Sequence, residues 1–475
     1  RVEVKMSRSD RVIKTTIIYF IGNFASKLLG FVLLPLYTAY LTSADYGTVD
    51  ILMSTLPLIA PIFTMQVTES VFRFLMTDNT DEERKKTITN ALVIFATGVL
   101  VFVVLYLPFF YKLDFNYGVL FLVYFLVTYM GIFLQQVLRG LQRTIEYAVT
   151  GVISTVVHAT FNIFLLVKIG LGGEALLISS IAGSLVITIF MVLRTKIWNY
   201  FDLKRLSKIE ISRQLKFGIP LIPNQIAWWV IGLLGKYILL YYHGVADNGI
   251  LAVANKFPNL IAIVNAIFLK AWTENVIKEY NSEDRDEFFS LGLMRFTIFT
   301  VSIAACLLPV IKIYNVLTIR GDFENAWKFV PILILGSSFN SLATFLGTVY
   351  TASMKTKQAF TTTIVAAVSN LILSLILIPM LSIWGVAVSN MISFMILYLV
   401  RIKSINSIIN LKINFFRIIP SLILLIASIF IYYTMDIYGQ MISIIILGLI
   451  ALYLNKSILI NLFTFVTRKK IKKNC

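Results

Sequence analysis

Long apolar stretches, broken by short polar loops, recur along the whole chain. A helical membrane span needs about 20 mostly apolar residues. Fourteen stretches qualify, at roughly 15–41, 47–76, 88–111, 117–138, 149–169, 174–193, 214–242, 249–273, 291–314, 327–352, 359–380, 383–400, 418–434 and 438–454. The last is the shortest and would also suit an interfacial position. None shows the ten-residue alternation of a lipid-exposed barrel strand, so the pattern predicts a bundle of about 14 transmembrane helices, an all-α integral membrane protein. The loops on one side, 42–46, 242–248 and 380–382 among them, are only turns, and 312–326 alone has any size. An external catalytic domain has nowhere to sit.

Short strings repeat in register. Ala44-Asp45-Tyr46-Gly47 follows the first span and Ala246-Asp247-Asn248-Gly249 the seventh, at an offset of 202 that also relates Tyr40 to Tyr242. Thr144, Gly173 and Ala175 match Thr356, Gly385 and Ala387 at an offset of 212. This order points to a six-plus-six duplication, a known transporter plan. The expected organisation is a six-helix lobe over 1–200, a linker over 201–213, a second six-helix lobe over 214–403, and two further helices with a basic tail over 404–475.

Composition agrees: 58% of residues are hydrophobic and the mean hydropathy is +0.84. The net charge of +18 would suit a nucleic-acid binder, but its placement excludes that reading. With the N-terminus inside, alternate loops on the cytoplasmic side hold 30 of the 42 Lys and Arg residues, and the outer loops hold four. Such a bias orients membrane proteins. The clusters at 204–216 and 468–473 then read as topological signals against anionic lipid headgroups. Met6 is a candidate natural start, with Arg1–Lys5 upstream of it. The two cysteines, Cys306 and Cys475, form no disulfide framework,.

The remaining cations are the chemistry. Lys27 lies near the middle of the first span, where an ammonium costs roughly 3 kcal/mol unless it faces protein, water or an anion. At 100° per residue, Lys27 shares a face with Asn23 and Thr38; Arg73 with Thr55 and Gln66; Lys236 with Gln225 and Trp229; Lys256 with Asn259, Lys270 and Glu274,. Such stripes should line an interior rather than lipid. Arg73 and Lys270 also have acids at i±4, Glu69 and Glu274, so a structural ion pair competes with a ligand role. Asp50, Glu69, His158 and Glu274 are the candidate groups for coupling to H+ or Na+. The chain lacks a G-x-x-x-x-G-K-[ST] loop, an HExxH pair and a G-x-S-x-G elbow, which argues against ATP hydrolysis, a metal site and acyl-enzyme chemistry,. No resident cofactor is expected.

The run Leu33-Leu-Pro-Leu-Tyr-Thr-Ala-Tyr-Leu-Thr-Ser-Ala-Asp-Tyr-Gly47 resembles the opening of Wzx-type polysaccharide flippases, of the multidrug/oligosaccharidyl-lipid/polysaccharide (MOP) exporter superfamily. Lys216-Phe-Gly-Ile-Pro-Leu-Ile-Pro223 resembles the start of that family's second half, and Gly173/Ala175 and Gly385/Ala387 its G-x-A signature. The resemblance implies two pseudo-symmetric six-helix bundles around a central cavity. It implies movement of undecaprenyl-diphosphate-linked oligosaccharide to the outer leaflet of a bacterial inner membrane, for O-antigen, lipopolysaccharide or capsule. Glycan polymerase or ligase machinery would be the partners. No family motif marks the diphosphate site, so Lys27, Arg73, Lys236, Lys256 and Lys270 rest on face and depth, as do the contacts of Asn23, Gln66, Gln225, Trp229 and Asn259. A lipid II-type flippase and a drug/cation antiporter of the same superfamily are the alternatives. The antiporter should have an acidic cavity.

Overall fold

The computed structural model describes residues 29–78, 80–113, 117–280 and 282–456. These are almost wholly helical, with no β-strand among the described residues. Twelve helices are long and apolar enough to cross a membrane, and the bent pair Val245–Ala254 and Pro258–Ala266 makes a thirteenth. The helix Leu29–Tyr40 belongs to the expected first span, which completes about fourteen. The chain divides into two compact units, Arg1–Trp229 and Val230–Cys475.

The first unit opens with α1 (Leu34–Tyr40), α2 (Ser43–Phe63), α3 (Val67–Leu75) and α4 (Asp81–Leu113). Thr42 starts α2: its Oγ1 accepts from the Asp45 amide at 3.1 Å and donates to the Asp45 carboxylate at 2.7 Å. That satisfies a helix-end donor worth about 1 kcal/mol. The stretch 47–76, read from sequence as one span, is two helices. Met65 (φ 49°) and Gln66 (φ 53°) turn left-handed between α2 and α3, a strained conformation that costs of order 1–3 kcal/mol per non-glycine residue. Neighbours pin the break. A Cβ on Gly98 of α4 would overlap the Phe63 carbonyl, and one on Gly218 would overlap that of Met65. Only glycine lets these elements come so close.

Then follow α5 (Gly118–Gly140), α6 (Thr144–Ile163), α7 (Glu174–Thr195) and α8 (Lys208–Gly218). The core between α3, α4, α5 and α7 is built from Val71, Leu75, Ile88, Phe95, Phe133, Leu138 and Met191. Lipid is as apolar as these side chains, so close packing rather than water exclusion favours their association. The segment between α7 and α8 lies across the start of α4. The Thr89 hydroxyl donates to the Tyr200 carbonyl and accepts from the Asp202 amide, both at 3.0 Å. Asn90 bonds the Arg205 carbonyl at 3.0 Å and the Ser207 amide at 2.9 Å, and Arg205 grips Glu82 through both Nη atoms.

The unit boundary falls within α9 (Ile222–His243). The second unit continues with α10 (Val245–Ala254), α11 (Pro258–Glu279), α12 (Arg285–Thr318), α13 (Val330–Ala352), α14 (Thr356–Leu381), α15 (Ile383–Asn406), α16 (Phe415–Thr434) and α17 (Ile437–Leu454). Its core is an aromatic stack: Trp272 lies 4.6 Å from Phe345 and 4.9 Å from Phe288, and Phe345 lies 4.9 Å from Phe296. The last two helices pack on α12, with the Ser428 hydroxyl donating to the Ala305 carbonyl at 2.6 Å.

The repeated strings meet within each unit. In the first, a Cβ on Gly172 would stand 3.8 Å from Oδ2 of Asp45, which places that carboxylate by the N-terminus of α7. In the second, the hydroxyl of Ser382, which caps α15, donates to Oδ2 of Asp247. An acid therefore faces the positive end of α7 in the first unit and of α15 in the second, a favourable pairing of charge and dipole,.

Candidate functional site

The second unit contains a polar cavity of about 260 Å³ at the bend between α10 and α11. The two helices meet at 43°. Pro258 occupies the first turn of α11, and no side chain caps that end, so its positive dipole end is left at the bend. Asn255, Pro258 and Asn259 come from the bend, Lys236 from α9, Ser337 and Asn340 from α13, and Asn390 from α15. The Ser337 hydroxyl donates to the Pro258 carbonyl at 3.2 Å, tying α13 to the bend. Asn390 is oriented by Asn370, whose amide donates to its Oδ1 at 3.0 Å. Oδ1 of Asn340 is buried without a hydrogen-bond partner.

Lys236 is the cation of this cavity and is 93% buried, with 7% exposure. None of the described lining residues is acidic. An ammonium offers three donors and each asparagine offers two donors and an acceptor. This inventory suits a ligand that combines anionic oxygens with hydroxyl or amide groups. It does not suit an organic cation. No group of three or more metal-binding side chains occurs among the described residues.

Of the residues read from sequence, the structure brings Lys236 and Asn259 together at this cavity. Lys256 is half-buried at the bend beside Asn255. Trp229 is buried, and its indole nitrogen donates to the Ser54 carbonyl at 3.0 Å, so its polar end is committed to α2. Gln225 is exposed. In the first unit Arg73 is exposed near the end of α3. Gln66 is buried at the left-handed break. Glu69 accepts from Gln136 at 3.1 Å, and Gln136 in turn accepts from Arg139 at 2.8 Å. That places the Glu69 carboxylate in a chain with α5 instead of the expected pair with Arg73. Asp50 is half-buried on α2. His158 lies 3.4 Å from the Ser180 hydroxyl across α6 and α7. Asn23 and Lys27 lie outside the described residues, as do the side chains of Lys270 and Glu274 on α11. Sequence reading passed over Asn255, Ser337, Asn340 and Asn390. Their signal was an uncharged amide or hydroxyl inside an apolar run, which a search for charge does not register.

A sequence model of the polysaccharide biosynthesis protein family matches residues 12–273, more than half of the chain. The chain belongs to this family. Its description, polysaccharide biosynthesis, agrees with what the opening motif resembles. No curated protein sequence matches it. Among solved structures, a lipid II flippase, MurJ, in an inward closed conformation is similar at 19% identity over 94% of this chain and 100% of that one, with a TM-score of 0.72. An inward-facing multidrug resistance MATE family transporter of the MOP superfamily gives 13% identity, 86% and 96% coverage, and a TM-score of 0.63. A MOP superfamily transporter from Pyrococcus furiosus, described as having a binding pocket of reverse polarity, gives 13% identity, 83% and 95% coverage, and 0.57. At these identities the likeness establishes the fold of this family member, a multi-pass helical membrane protein.

Proposed function

We propose that this chain is a flippase that moves an undecaprenyl-diphosphate-linked oligosaccharide from the cytoplasmic to the outer leaflet of a bacterial inner membrane, by alternating access. Family membership over 12–273 carries the reading, and the amide-rich cavity around Lys236, with no acid among its described lining residues, supports it. The ammonium would take a phosphate oxygen through a charge-assisted hydrogen bond, with the asparagines taking sugar hydroxyls. Lys27, Arg73, Lys256 and Lys270 are the further cations proposed for the diphosphate. The polyprenyl tail stays in lipid while the head group crosses. No bond is made or broken, so the reading has no catalytic residue. The bias of basic loops supports a cytoplasmic position for both termini,. A downstream glycan polymerase or ligase would consume the product, and H+ or Na+ would couple through Asp50, Glu69, His158 or Glu274.

The test is leaflet transfer of a labelled undecaprenyl-diphosphate oligosaccharide in proteoliposomes. Transfer above protein-free vesicles is expected, without counter-transport of cationic dyes. Dye transport without glycan transfer would replace this reading with the antiporter. Transfer of lipid II in preference to other glycans would replace it with the cell-wall flippase.

A further inference from the structure

The helix α8 turns two faces to two environments. Glu210 and Gln214 are buried on the protein side. Glu210 pairs with Arg213 at 3.2 Å and accepts from Gln214 at 3.2 Å, and Gln214 bonds the Thr87 carbonyl at 3.0 Å. The other face is a stripe at helical spacing: Lys208, Ile211, Ser212, Leu215, Lys216 and Ile219,. It lines an open trough of about 530 Å³. Its apolar floor lies between two lysines that stand about 12 Å apart along the axis, at 1.5 Å per residue. Among the described residues, neither lysine joins an ion pair, and the one acid of the helix faces away.

The surroundings place this trough at a membrane surface. The helix runs through a 3₁₀ turn at Ile219–Leu221 into α9, so its far end enters a span. The residues before it expose large apolar side chains among basic ones, Trp198, Leu203 and Leu206 beside Lys196 and Lys204, and Ile209 in its first turn is 79% exposed. That mixture is typical of a segment lying in the headgroup region.

We propose that this face of α8 binds one anionic phospholipid of the leaflet on the basic side of the membrane. Lys208 and Lys216 would hold the phosphate region, and Ile211, Leu215 and Ile219 would receive an acyl chain. A peptide or nucleic acid would meet two isolated charges on an apolar floor, whereas a lipid supplies both chemistries in one molecule. The proposal rests on membrane placement and not on the transported substrate, so its failure leaves the flippase reading standing.

Native mass spectrometry of the purified full chain, titrated with phosphatidylglycerol or phosphatidylcholine, tests it. The wild type should retain one phosphatidylglycerol more tightly than phosphatidylcholine. A basic group near an anionic surface is worth about 1 kcal/mol, or roughly a five-fold change in affinity for each lysine. The double variant Lys208→Gln/Lys216→Gln should therefore lose about 25-fold, the product of two such factors. The charge-matched variant Lys355→Gln/Lys357→Gln, at the exposed start of α14 in the second unit, should keep wild-type affinity. Equal losses in both variants would reduce the site to diffuse electrostatics and overturn the proposal, as would equal retention of the two lipids. Preference for undecaprenyl phosphate over phosphatidylglycerol, abolished by Lys208→Gln/Lys216→Gln, would make the trough a substrate dock instead and equally overturn it.

Discussion

Replacing Lys236 by methionine should stop transport without unfolding the protein. The side chain is 7% exposed in a cavity with no acid among its described lining residues. A unit charge about 4 Å from a phosphate oxygen, at an effective dielectric constant near 20, interacts by about 4 kcal/mol. A hydrogen bond to a charged group is worth about 1.5–3 kcal/mol net. If that interaction is strongest in the crossing state, its loss should slow leaflet transfer by roughly 10-fold to 1,000-fold, at a factor of ten per 1.4 kcal/mol. Stability should move the other way. Methionine keeps the unbranched stem and fills irregular space, and replacing a buried charge by an apolar side chain is often neutral or stabilising. The assay is paired: initial rate of glycan transfer in proteoliposomes, and thermal unfolding of the same preparation. A Lys236→Met protein that transfers within two-fold of wild type would refute the role given to this ammonium. A sharply lowered melting temperature would show that Lys236 is chiefly a structural partner.

Three further outcomes are expected. Gly98→Ala puts a methyl into the Phe63 carbonyl and should cost about 1–3 kcal/mol through overpacking, read as a lower melting temperature; an unchanged one would mean the α2–α3 break relaxes freely. Asp247→Ala and Ser382→Ala should each destabilise the second unit, and a double-mutant cycle should show coupling of about 1 kcal/mol or more; additive losses would deny the contact any energy. Asp78 lies outside the spans, and burial raises its carboxyl above the ordinary value of 3.8, opposed by the Thr87 hydroxyl. A raised carboxyl contributes stability below the unfolded value and loses it as pH rises through the folded one. Asp78→Asn should therefore raise the melting temperature at pH 7 relative to pH 4, and a gain of the same size at both pH values would contradict that origin.

Hydrophobic patterning located nearly all of the spans, because each must satisfy its backbone internally and clothe itself in apolar side chains. It could not see the break in 47–76, since Met65 and Gln66 carry no turn chemistry and the glycines packed closest to it, Gly98 and Gly218, lie far away along the chain. The Asp45 and Asp247 strings were legible as a matching pair, though what they share, an acid beside a helix N-terminus, needed coordinates. At the site, helical phase put Lys236 and Asn259 on interior faces, and both line the cavity. Trp229 shared that phase and turned out to bond Ser54, because phase gives a direction but not a partner. The asparagines escaped notice since an amide costs far less than a charge in an apolar run and so stands out less.

The polar walls around Lys236 are amides and a hydroxyl, groups that neither gain nor lose a proton anywhere in the range a cell experiences,. Their pattern of donors and acceptors is therefore fixed by geometry alone. On the proposed function, a glycan held there would meet the same donors and acceptors in acid and in alkali. If acidification changes the rate of the proposed transport, the change must enter through carboxylates or a histidine elsewhere, and selectivity among sugars should stay constant while the speed varies.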